Sequence, residues 1–130
     1  TLKIITHLKR MSAQITAAVR IISSILDDGI LEDIPHVVDL SETVGSVVNI
    51  CMTALIHKDL EEAAKMNQYD DRIDSLFWEV RREISEYLAT VRGHEEAALD
   101  LLLAAKYMEK TGDHAVSASR WVIFSITGSR

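Results

Sequence analysis

Asp70 and Asp74 form one pair of carboxylates four residues apart, and Glu109 and Asp113 form a second. On an α-helix, residues at i and i+4 stack on one face, so each pair holds like charges within mutual reach. Each pair also follows an apolar pair by one residue: Tyr69 and Ile73 precede the first, Met108 and Gly112 the second. The acids therefore flank a seam, and two neighbouring helices would bring all four carboxylates to one groove. An oxygen-only donor set suits a hard or borderline cation such as Mg, Mn, Ca or oxidised Fe, because the ion offsets repulsion that water only weakens. An acidic pair at this spacing is ordinarily a solvated face, so the residues around each pair must decide between the two readings.

The remaining residues offer little for catalysis. His7, His36, His57, His94 and His114 are scattered singly, and a lone helical histidine ordinarily faces water or caps an end. His114 follows Asp113, but successive helical residues point about 100° apart, so it supports the site from outside rather than ligating within it. No Glu is followed three residues later by His, which removes the ferritin-like di-iron pattern. His94-Glu95 lacks the second histidine of a zinc protease, since Ala98 stands in its place. Neither a Gly-rich phosphate loop nor a nucleophile elbow occurs. Cys51, the single cysteine, permits no internal disulfide and reads as a small buried apolar residue. Trp78 and Trp121 fall beside the seams and read as core or rim packing, with an interface anchor as the alternative. The expectation is a protein that is not an enzyme.

Helices must position these groups. The 130 residues suit one compact unit, and the net charge of −6, with no cluster of basic residues along the chain, argues against nucleic acid. Helical periodicity runs from about Leu2 to Leu26 through Ile5, Leu8, Ile15, Ala18, Ile22 and Ile25, until Asp27-Asp28-Gly29 stops it. Pro35 opens a second helix, where its missing N–H costs nothing, with a stripe of Val37, Leu40, Val44, Val48, Cys51 and Leu55 as far as His57-Lys58-Asp59. A short polar step over Leu60 to Met66 leads to a third helix marked by Tyr69, Ile73, Leu76, Val80, Ile84, Tyr87 and Val91, which Gly93 ends. The fourth carries Ala98, Leu101, Ala105, Met108, Gly112, Ala115, Ser119 and Val122 and runs out near Gly128. Gly112 in mid-helix costs about 1 kcal/mol against Ala, which suggests a close approach by another backbone. Nothing alternates with period two, so the expected fold is an all-α, up-and-down antiparallel bundle without strands. No apolar run approaches the roughly 20 residues of a membrane span, no signal peptide opens the chain, and a cytoplasmic protein is expected.

The residues around the acids resemble the PhoU family. Met108-Glu109-Lys110-Thr111-Gly112-Asp113-His114-Ala115 is similar to that family's E/D-x-x-x-D helix, and Asp70-Asp71-Arg72-Ile73-Asp74, preceded by Asp59 and Ala63-Ala64, is similar to its other copy. The resemblance runs from Val37 to about Ile126, one three-helix repeat of a family built from two. It implies a PhoU-like domain over residues 36–128, with residues 1–28 as the last helix of a preceding repeat. The chain opens at Thr1 already in helical periodicity, and a fragment of a longer protein is therefore expected. A shift of 100 positions sets Leu2 against Leu102, Leu8 against Met108, Ala18 against Ala118 and Arg20 against Arg120. The same shift puts Lys9 and Ala13 where Glu109 and Asp113 stand, so the first helix lacks the acidic motif.

The resemblance implies a regulator of phosphate uptake and phosphate signalling that acts by metal-dependent contact between proteins. Asp70, Asp74, Glu109 and Asp113 would be the metal ligands, for Fe, Mn or Mg, and would stiffen the bundle. The implied partners are a phosphate ABC transporter's ATPase subunit and a sensor kinase, placing the protein at the periphery of membrane complexes. The alternative is a PhoU-like accessory domain of an ion channel or phosphate cotransporter. A carboxylate-bridged redox enzyme, a third reading, is opposed by the missing Glu-x-x-His spacing. The first helix is expected to fold back as a fourth helix on its own chain, with a homodimer formed through whatever apolar surface stays open.

Overall fold

The computed structural model describes residues 2–128, with side chains described over residues 4–128. Five α-helices follow in order: α1 (Leu2–Ile25), α2 (His36–His57), α3 (Leu60–Ala64), α4 (Asn67–Thr90) and α5 (Glu95–Thr127). Two 3-10 turns, Leu26–Asp28 and Ile30–Asp33, join α1 to α2. Gly29 between them takes φ of 83°, a left-handed conformation that glycine adopts at no steric cost. The one-turn α3 is started by Asp59, whose Oδ1 accepts the N–H groups of Glu61 at 3.0 Å and Glu62 at 3.3 Å. Asp59 thus has a structural task of its own.

α5 is the hub: α1, α2 and α4 all pack against it. Its buried face includes Ala98, Ala104, Ala105, Gly112, Ala115, Ala118 and Ser119, and such small residues let three helices come close to one. Chain directions follow from contacts at the helix ends. His7 meets His114 and Asp28 meets His94, so α1 runs antiparallel to α5. His36 at the start of α2 binds Glu83 late in α4, and Tyr87 late in α4 lies against His94 just before α5, so these neighbours alternate as well. The result is the all-α up-and-down bundle, and among the described residues no strand occurs.

The core of α2 falls at Val37, Leu40, Val44, Val47, Cys51 and Ala54, alternating by three and four residues. Val47 and Ala54 take the innermost places expected of Val48 and Leu55, which are partly buried beside them. Cys51 is fully buried, as expected. α2 is also long and apolar enough, by length and composition, to cross a membrane, contrary to the expectation that no segment would be, but its apolar stripe lines the bundle core.

α1 differs from its expected register. Its buried positions are Ile4, Met11, Ala18 and Ile25, one per heptad, whereas Ile5 is 48% and Ile15 38% exposed. The helix is apolar over a broad arc but packs chiefly on α5, so only the stripe turned toward α5 is covered. Of the two places expected for Trp78, core or rim, the structure excludes the core: it is 57% exposed, with the Arg81 guanidinium 5.2 Å from its ring centroid.

Candidate metal centre

Ile73 and Gly112 set the position of the acids. A Cβ added at Gly112 would come within 2.6 Å of Ile73 Cδ1, so the absence of a side chain there lets α4 and α5 approach over a fully buried isoleucine. The mid-helix glycine does make room for a close approach, but what fills it is the Ile73 side chain rather than another backbone. Asp74 and Asp113 are the next residues on their helices and are carried to the edge of the same contact. Glu109, one turn before Asp113, is 7% exposed and is the only charged residue buried among those described.

The four carboxylates feel one another. Partial burial pushes the Asp113 carboxyl up to about 6, and the charges of Glu109, Asp74 and Asp70 add to the rise, in that order. Asp74 is raised by burial, then by the charge and close approach of the Glu109 carboxylate. Asp113 is exposed as a residue while its carboxyl group is partly desolvated at the edge of the α4–α5 contact, and the neighbouring negative charges add to that. The spacing argument from sequence therefore places Asp70, Asp74, Glu109 and Asp113 in one electrostatic neighbourhood between α4 and α5.

A resident cation also lies there. Lys106 Nζ sits 2.5 Å from Glu109 Oε1, and 4.9 Å from the centroid of the Phe77 ring. Its charge lowers both Asp74 and Asp113, partly offsetting the acids. The donors have the right chemistry for a hard cation, but as placed they do not grip one: among the described residues no three His, Cys, Asp or Glu side chains are gathered as a chelating group. An ion would have to draw the carboxylates inward and detach Lys106 from Glu109. Lys106 was overlooked in the sequence, although its place one turn before Glu109 was a legible signal.

The histidines are less solitary than their spacing suggested. His114 Nδ1 lies 3.2 Å from His7 Nδ1 across 107 residues, so it faces α1 rather than the carboxylates. His36 Nδ1 is 2.6 Å from Glu83 Oε2, and His94 Nδ1 is 2.8 Å from Asp28 Oδ2. No sequence signal pairs residues so far apart, because only the packed helices bring them together.

The family model for the PhoU domain matches residues 37–122, which contain both carboxylate pairs. A phosphate-specific transport system accessory protein PhoU homolog of Clostridium acetobutylicum is 22% identical over 130 residues, covering 100% of this chain and 59% of that protein. PhoU homolog 1 of Methanothermobacter thermautotrophicus is 26% identical, covering 97% and 58% respectively. PhoU homolog 1 of Thermotoga maritima is 31% identical over 93 residues, covering 69% and 40%. The chain thus spans about half the length of the curated relatives it matches. No solved structure matches it significantly. With the family model spanning most of the chain and the helices and acids arranged as described, this protein belongs to the PhoU domain family.

Proposed function

We propose that this chain is part of a cytoplasmic regulator of phosphate uptake and phosphate signalling, which works by metal-dependent contact with a phosphate transporter's ATPase subunit and a sensor kinase. The carrying observation is the α4–α5 acid groove, where Glu109 is buried and Asp74 and Asp113 are held above the usual carboxylate range. Groups in that condition gain from a cation more than solvated acids do, so an Fe, Mn or Mg ion on Asp70, Asp74, Glu109 and Asp113 would tie α4 to α5 and stiffen the surface that partners meet. The relatives' description as accessory proteins of phosphate transport supports a regulatory rather than a catalytic role. In this reading α1 belongs to a preceding repeat. Its antiparallel seat on α5 supports that, since the last helices of two successive repeats would pair in this way.

The experiment is a binding measurement between the full-length protein and the ATPase subunit or the sensor kinase, with Mn present or removed by chelator. Metal should tighten the complex, and Asp74→Asn combined with Glu109→Gln should abolish the metal's effect. Equal affinity in all four conditions would remove the metal from the mechanism.

A further inference from the structure

Positive charge gathers where α1 crosses the second half of α5. On α5, Lys110, His114, Ser117 and Trp121 recur at four, three and four residues and share a face; on α1, His7 and Arg10 do the same. The His7–His114 contact joins the two faces, with ring centroids 5.4 Å apart. Beside it lies a cavity of about 170 Å³ lined by His7, Ser117, Arg120 and Trp121. Among the described residues, Arg10, Lys110 and Arg120 stand in no ion pair, although the chain carries a net charge of −6.

We propose that this cavity binds a small tetrahedral oxyanion of the phosphate type, held by the Arg120 guanidinium, the Ser117 hydroxyl and the His7 imidazole. Guanidinium, hydroxyl and imidazole N–H are the donors that oxyanions accept from, and charge-assisted bonds of this kind are stronger than neutral ones. The cavity has room for a small hydrated anion. The proposal does not depend on a metal in the carboxylate groove.

The test titrates the full chain with sodium phosphate at pH 7 and constant ionic strength, following the NMR signals of the His7 imidazole and the Trp121 indole. Saturable shifts are expected with phosphate and with sulfate, and none with chloride. Arg120 is exposed, so Arg120→Gln should keep the melting curve while weakening phosphate binding about tenfold or more, a factor equivalent to about 1.4 kcal/mol. Ser117→Ala, a neutral change, should weaken it in the same direction. Shifts that chloride reproduces, or a phosphate titration that neither substitution alters, would overturn the proposal.

Discussion

Asp113 is pulled in opposite directions by its surroundings and by the ion it would hold. Without metal its folded pKa, about 6, lies above the ordinary carboxylate value of 3.8. A group raised on folding stabilises the fold below its unfolded pKa, and that contribution is lost as pH rises through the folded value. The metal-free fold should therefore gain stability from Asp113 as pH falls from about 7 to 4. Because the residue is exposed, the slope should be well below the roughly 1.4 kcal/mol per pH unit of one fully linked proton. Asp113→Asn removes the titration while keeping the shape. Denaturation of metal-free protein should find the variant more stable than the parent at pH 7 and equal to it near pH 4. Saturating metal should reverse the order at pH 7, since a cation holds the carboxylate ionised. The variant's being no more stable than the parent at pH 7 without metal would mean that Asp113 is an ordinary solvated acid. The four acids were legible in the sequence because i, i+4 spacing beside an apolar seam is a local pattern. The His7–His114 pair was not, because it depends on how α1 seats on α5.

At the scale of elements, the α4–α5 seam rests on one missing side chain. Gly112→Val should put a methyl-bearing carbon within 2.6 Å of Ile73 Cδ1 and destabilise the fold by about 1–3 kcal/mol, the usual range for overpacking. Gly112→Ala sets a helix-propensity gain of about 1 kcal/mol against the same clash. A double-mutant cycle separates the two: Ile73→Val removes the obstructing methyl, so Gly112→Ala should be better tolerated in that background than in the parent. Simple additivity of the two changes would show that the close approach carries no strain. Helix existence and order were readable from the apolar periods and from Gly29, Pro35 and Gly93. The face of α1 was not, because Ile4, Ile5, Ile15, Val19 and Ile22 spread around a wide arc and only the neighbouring helix selects among them.

For the molecule as a whole, α1 should be a working part of the bundle. Ile4, Met11, Ala18 and Ile25 are buried by it and the elements around it, and large apolar side chains are worth about 1.5–3 kcal/mol each on burial. Deleting residues 1–28 would uncover the matching face of α5, so the truncated chain should melt lower and lose solubility; an unchanged melting temperature would make α1 a passenger. The architecture was legible because one period and few breakers run through the chain. The state of the acid groove was not, since it depends on how close α4 comes to α5 and on where Lys106 places its charge. The most direct test of the metal-centre account is the melting temperature of the chelator-treated protein as Mn, Fe or Mg is added, alongside Asp74→Asn/Glu109→Gln. Ion at 100 times its dissociation constant should add about 2.7 kcal/mol, a rise on the order of 10 °C for a chain of this size, with no change in the double variant. A parent melting curve indifferent to both chelator and every added metal would contradict it.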